Sequence, residues 1–187
     1  MFEGVAWIED GAPHAIAGSR ASAGRLALGA PMATPSGDKP IESISAGEDI
    51  YGLTSEFEVG LVRVQEVARG DSEPTWKLET ADKRSVTATA NHPFLALRKI
   101  EKWQMLAWLP LAEVKVGDWV ACARVEDDLG EVYFSKVVNI ESGGVAATFS
   151  LVVSGGCHFI ADGVVMHNSE VGEEQLSAGG GGDGGWK

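Results

Sequence analysis

The period of its apolar residues constrains this chain most. "FEVGLVRVQEVA", "TWKLETAD", "RSVTATA", "DWVACARV", "EVYFSKVVNIES" and "TFSLVV" are short, rich in β-branched and aromatic residues, partly alternating, and divided by Gly, Asp and Ser. Alternation with a period of two places one face of a strand on a core and the other toward solvent. Only "LALRKIEKWQMLAWL" has a spacing that could carry a helical turn or two. Helices do not alternate with strands, which argues against a parallel α/β sheet and predicts an all-β domain.

An internal echo narrows the architecture. "PIESISAGEDIYG" from Pro40 and "PLAEVKVGDWVAC" from Pro110 each run through a proline, an apolar residue, a short amphipathic turn, Gly-acid and an apolar strand. The first copy leads to a strand series ending in "NHPFLA", the second to one ending in "CHFIADG". Two copies of one unit predict a pseudo-twofold β architecture.

Composition restricts the function classes. The 187 residues suffice for one domain with a sizeable core. A formal net charge of −12 argues against nucleic acid, which needs clustered Lys and Arg. No apolar run reaches the roughly 18 residues that a membrane span requires. The N-terminal stretch "MFEGVAWIEDGAPHAIAG" carries acids where a signal peptide needs bases, so the expected setting is soluble and intracellular, that is, cytoplasmic. Cys122 and Cys157 form neither a disulfide framework nor a C-x-x-C metal site, and the pattern implies no cofactor. Residues 1–24 are rich in Ala and Gly, with one patch (Val5, Ala6, Trp7, Ile8) able to form a strand. Residues 169–187 end in "SAGGGGDGGWK", a flexible linker by composition. The domain itself is expected over 25–168.

Two motifs carry chemistry. In "GVVMHNSE", His167, Asn168 and Ser169 follow a strand at the point where the domain-like composition stops. An Asn side-chain amide can attack its own backbone carbonyl, and the leaving nitrogen needs a proton that a neighbouring imidazole supplies near neutral pH. Ser169 adds a hydroxyl able to attack an ester or thioester. In "TATANHPFLA", Thr89 and His92 flank a turn, and Pro93 enforces extended geometry before it. Such a pair can polarise a backbone carbonyl and protonate its leaving nitrogen.

These residues carry a resemblance to a known superfamily. "LALGAPMATPSGDKPIESISAGEDIYG", "TATANHP", "TFSLVVSGGCHFIADG" and "VVMHN" followed by Ser resemble, in family order, the four motif blocks of inteins, members of the hedgehog/intein (Hint) superfamily, over about residues 25–168. The resemblance implies a horseshoe of β strands with pseudo-twofold symmetry and a mini-intein without an endonuclease. It also implies roles. Thr89 and His92 would activate the N-terminal bond, His167 would assist cyclisation of Asn168, and Ser169 would be the acceptor nucleophile. The partners implied are the flanking polypeptide segments in cis.

The chain also departs from the family pattern. The opening Cys or Ser is replaced by Arg25, and Ser22 is three residues too early. A subset of inteins lacking the first nucleophile relies on a Cys where this chain has Ser150, and on a Trp where it has Phe94. Cys157 stands where the family has a histidine, with His158 one residue along, and successive strand residues face opposite ways. Two readings follow. The first is autocatalytic cleavage at Asn168-Ser169, or splicing by a route in which Cys157 or Ser150 attacks upstream. The second is a splicing-inactive Hint module with a structural role, its flanks serving as assembly arms, for example in a phage particle.

Overall fold

The computed structural model describes residues 5–8, 24–126, 129–154 and 158–167. Among them there is no α-helix. Thirteen strands form one hydrogen-bonded system: β1 Val5–Ile8, β2 Leu26–Ala27, β3 Pro31–Met32, β4 Lys39–Pro40, β5 Asp49–Leu53, β6 Val59–Thr80, β7 Ser85–Thr89, β8 Pro93–Ile100, β9 Trp103–Pro110, β10 Trp119–Glu126, β11 Leu129–Val153, β12 His158–Ala161 and β13 Val164–Met166.

The spine is the antiparallel pair of β6, 22 residues long, and β11, 25 residues long. The sequence reading divides each into separate strands at Gly, Asp and Ser, whereas both run on without interruption. Some of the punctuating residues sit at register shifts instead, as between Ser142 and Gly144. An inserted residue bends a strand and sharpens its twist without ending the ladder, so a long pair curls into a horseshoe.

Two copies of one unit build the two arms. Pro31 pairs with Pro40 ahead of a 3-10 turn at Ile41–Ser43; Pro93 pairs with Pro110 ahead of a 3-10 turn at Leu111–Glu113. The main-chain hydrogen bonds repeat one for one. Ile41 N donates to Ala30 O and Leu111 N to His92 O, both at 2.9 Å. Gly47 N donates to Val64 O at 2.8 Å, and Gly117 N to Val137 O at 2.9 Å. The preceding acidic turns match too: Ser45 N donates to Glu48 Oε1 at 3.1 Å and Lys115 N to Asp118 Oδ2 at 2.9 Å. Gly47 and Gly117 have φ of 88° and 102°, a conformation that costs glycine little and other residues more.

The β12–β13 hairpin joins the arms. β12 pairs with the first copy (His158 with Leu53, Phe159 with Gly52, Ala161 with Met32), and β13 with the second (Val164 with Cys122, Met166 with Phe94). Gly52 permits this approach, since a methyl group there would stand 2.1 Å from the His158 carbonyl oxygen.

The stretch "LALRKIEKWQMLAWL" forms no helical turn. It is a hairpin, β8 and β9, closed by Glu101 and Lys102, with Ile100 opposite Trp103. Successive residues feed two different cores: Phe94, Ala96, Met105, Ala107 and Leu109 enter the larger, while Leu95 and Trp108 enter the smaller with Ala121, Ile160 and Val165. A strand buried on both faces shows no apolar-polar alternation, which explains the ambiguous spacing. β10 has the same character. Val120 and Cys122 lie in the larger core and Ala121 and Ala123 in the smaller. β1 adds to the edge of β9, with Val5 opposite Ala107 and Ile8 opposite Gln104.

Candidate active site

The β7–β8 turn sets the first part of the site. His92 N donates to Thr89 O at 3.0 Å, which closes the turn, and His92 O accepts from Leu111 N, which anchors it to the second arm. Thr89 hydrogen-bonds through its hydroxyl to Asn91 Oδ1 at 2.6 Å, so its oxygen is left to accept from Arg25 N at 3.0 Å. Thr89 N in turn donates to Arg25 O at 2.9 Å. The main chain at Arg25 is thereby held on both sides by one threonine.

His92 covers the other end of the Gly24–Arg25 peptide bond. A methyl group on Gly24 would stand 2.2 Å from His92 Cα and 2.7 Å from its Nδ1. The imidazole is only 1% exposed and packs edge-on against Phe94 and Phe159, at centroid distances of 5.8 and 6.4 Å. Neither ring nitrogen has a hydrogen-bond partner of good geometry. Burial pushes its pKa down to about 3, the Gly24 main chain partly opposes this, and a charge on His167 would lower it further. The ring is neutral at neutral pH.

Arg25 points away from this junction. Its Nη1 pairs with Glu73 Oε1 at 2.5 Å across the spine, where Thr148 also donates to the same carboxylate oxygen at 3.4 Å. Gly70 leaves room for the guanidinium, since a methyl group there would stand 2.7 Å from that Nη1.

The last described residue, His167, follows β13 directly. Because Met166 pairs with Phe94, this end of the domain also arrives at the start of β8, two residues from His92. His167 meets Trp108 edge to face at 4.8 Å and 89°, and His158 at 5.2 Å; Trp108 and His158 are 4.6 Å apart. Phe57 also approaches His158, at 5.9 Å. Burial lowers the pKa of His158 to about 4, with His167 adding to the effect. Of the two residues between which the strand alternation could not choose, His158 thus points at His167. Cys157, Asn168 and Ser169 lie outside the described residues.

The structure therefore brings Thr89, His92, His158 and His167 to one end of the β12–β13 hairpin. The sequence reading missed Trp108. Its only signal was an aromatic within a run whose period was unreadable. No group of three or more His, Cys, Asp or Glu among the described residues could hold a metal ion. An open cavity of about 440 Å³, lined by Glu79, Lys83, Arg84 and neighbours, shares no residue with this cluster.

A pseudo-symmetric β horseshoe of this kind is the Hint fold, which this chain shares with solved mini-inteins. A solved variant of the Ssp DnaB mini-intein superposes with a TM-score of 0.71 at 22% identity, over 83% of this chain and 100% of that one. A DnaB intein from Synechocystis sp. PCC 6803 gives 0.66 at 23% identity, over 79% and 99%. The DnaX mini intein from Spirulina platensis gives 0.64 at 18%, over 77% and 99%. No family profile matches the sequence. Among curated proteins, an iron-sulfur cluster assembly SufBD family protein of Mycobacterium leprae is 30% identical over 102 residues, 51% of this chain. The match spans only 12% of that protein's length.

Proposed function

We propose that this is an intein-like self-processing domain whose retained reaction is cleavage at Asn168-Ser169. Asn168 Nδ2 attacks the carbonyl carbon of its own residue and closes a succinimide. The bond to the Ser169 nitrogen breaks, Nδ2 gives up a proton, and the departing amine gains one. The reaction consumes no water and involves no oxidant. His167 would be the neighbouring acid, and His158, whose buried Nδ1 has no hydrogen-bond partner and whose ring lies 5.2 Å from that of His167, would take the Nδ2 proton or return one. Thr89 and His92 would act on the Gly24–Arg25 bond, which lacks a nucleophile because a guanidinium stays protonated. Ser169 would be the acceptor of any transferred chain, and Cys157 or Ser150 the source of any unusual upstream attack.

The observation that carries this reading is the arrival of both ends at the start of β8, Gly24 against His92 and His167 beyond the Met166–Phe94 pair. This is the arrangement that self-processing at a domain's ends uses, because it brings His92 and His167 to the two junctions at once. A segment similar to this chain lies within a much longer M. leprae protein, which fits a domain acting in cis on flanking polypeptide. The Arg25–Glu73 ion pair favours the second reading, an inactive module kept for structure or assembly, because it ties down the position of the missing nucleophile.

Intact-mass spectrometry of the full chain after days at neutral pH separates the two. Cleavage predicts a fragment ending in a succinimide at position 168 that is absent from Asn168→Ala. If both proteins persist at their own full-length masses, the structural reading stands.

A further inference from the structure

We propose that Trp108 is a positioning residue for the C-terminal junction, holding His158 and His167 in the arrangement that Asn168 cyclisation uses. The inference rests on the self-processing reading above. The three ring centroids form a near-equilateral triangle with sides of 4.6, 4.8 and 5.2 Å. Trp108 is itself 6% exposed and packed into the smaller core, opposite Leu95 in the β8–β9 pair. It is therefore a fixed wall, anchored by a hairpin that also carries the start of β8, against which two less buried rings rest.

The geometry does two things. The perpendicular contact selects one orientation of His167, because an edge-to-face pair loses its favourable quadrupole alignment when either ring turns. Trp108 also excludes water from the face of His158, whose neutral state is due first to burial. Two imidazoles 5.2 Å apart disfavour double protonation, so one can act as acid while the other stays a base. Trp108 acts through these two rings.

Trp108→Leu keeps an apolar filler and removes the ring; Trp108→Phe keeps a ring. The full-length Leu variant should cleave at Asn168-Ser169 on the order of 10²-fold more slowly, as for a small misplacement of a reacting group, and the Phe variant should recover most of the rate. Histidine ring signals, titrated by NMR in an Asn168→Ala background, provide a readout that needs no cleavage. His158 should titrate near 4 with Trp108 in place and move toward 6.5 in the Leu variant. A folded Leu variant with an unchanged rate would overturn the proposal. So would a slowed one with unchanged histidine titration, which would make Trp108 only a packing residue. If the wild-type chain never cleaves, the self-processing reading fails, and the titrations still decide whether Trp108 controls the two histidines.

Discussion

The Thr89 hydroxyl oxygen accepts a hydrogen bond from the Arg25 main-chain nitrogen at 3.0 Å, with its own proton turned toward Asn91. The peptide bond entering the domain is thus gripped at its nitrogen by Thr89 and packed on its other side by His92. The residue held in this grip is an arginine, whose side chain leaves to pair with Glu73.

Restoring a nucleophile should therefore restore reactivity. In Arg25→Cys the new thiolate can attack the Gly24 carbonyl carbon, forming a thioester as the C–N bond breaks and the freed amine takes a proton. Dithiothreitol should then release residues 1–24, and His92→Ala in that background should slow release by about 10²–10⁴-fold. Loss of the Arg25–Glu73 pair should cost little, since both partners are more than a third exposed. No thiol-dependent fragment by mass spectrometry would mean that Thr89 and His92 do not address this bond.

Adding a methyl group at Gly24 tests the same contact from the other side. The clash would be the new methyl group against the His92 main chain, so the main chain at Gly24 or His92 must shift. Gly24→Ala should destabilise the fold by about 1–3 kcal/mol, as overpacking does, and suppress fragment release in the Arg25→Cys background. Thermal denaturation and the thiol assay measure the two effects separately. Unchanged values in both would show that Gly24 does not press on His92.

Acid should weaken the fold well above the range where carboxylates titrate. His92 and His158 have folded pKa values of about 3 and about 4, below the ordinary 6.5. Above pH 6.5 both states hold these rings neutral and stability is fully present. As pH falls toward 4 the unfolded chain takes up protons that the folded one refuses, so stability is lost, on the order of 2 kcal/mol per histidine at pH 5. Asp82, held at about 2 by hydroxyls of Ser135, Thr80 and Tyr133, has its own loss only below about 3.8. Urea titrations from pH 7 to 4 should show the decline, and His92→Leu should flatten part of it. A flat profile over that range would contradict the burial of both rings.

Cys122 should behave as a core residue. It is fully buried in the larger core, and burial pushes its thiol up to about 12. Modification by a maleimide should wait for unfolding and become fast in denaturant. Rapid labelling in native buffer would show that β10 opens locally.

The sequence made some of this legible and hid the rest for physical reasons. Thr89 and His92 are separated by a turn that Pro93 enforces, so local rules suffice to place them near each other. The doubling is also visible, because the two prolines and two turn glycines are fixed by backbone geometry. The continuity of β6 and β11 is not visible, since Gly and Ser at a register shift look the same as Gly and Ser at a strand end. Nor is Trp108, because a strand buried on both faces loses its period. Its partners His158 and His167 come from a hairpin some fifty residues away in the chain, so their meeting is a property of the tertiary fold alone.

The matched hydrogen bonds of the two arms have a consequence for how this architecture acquires activity. Ala30 and His92 hold the same post: each precedes a proline that opens a strand, and each offers its carbonyl to the first residue of a 3-10 turn at 2.9 Å. A duplicated scaffold presents two equivalent berths, and only one of them bears an imidazole. The duplication thus acts as an internal control: where the two copies match, backbone geometry accounts for the residue, and where they differ, as at Ala30 and His92, it does not.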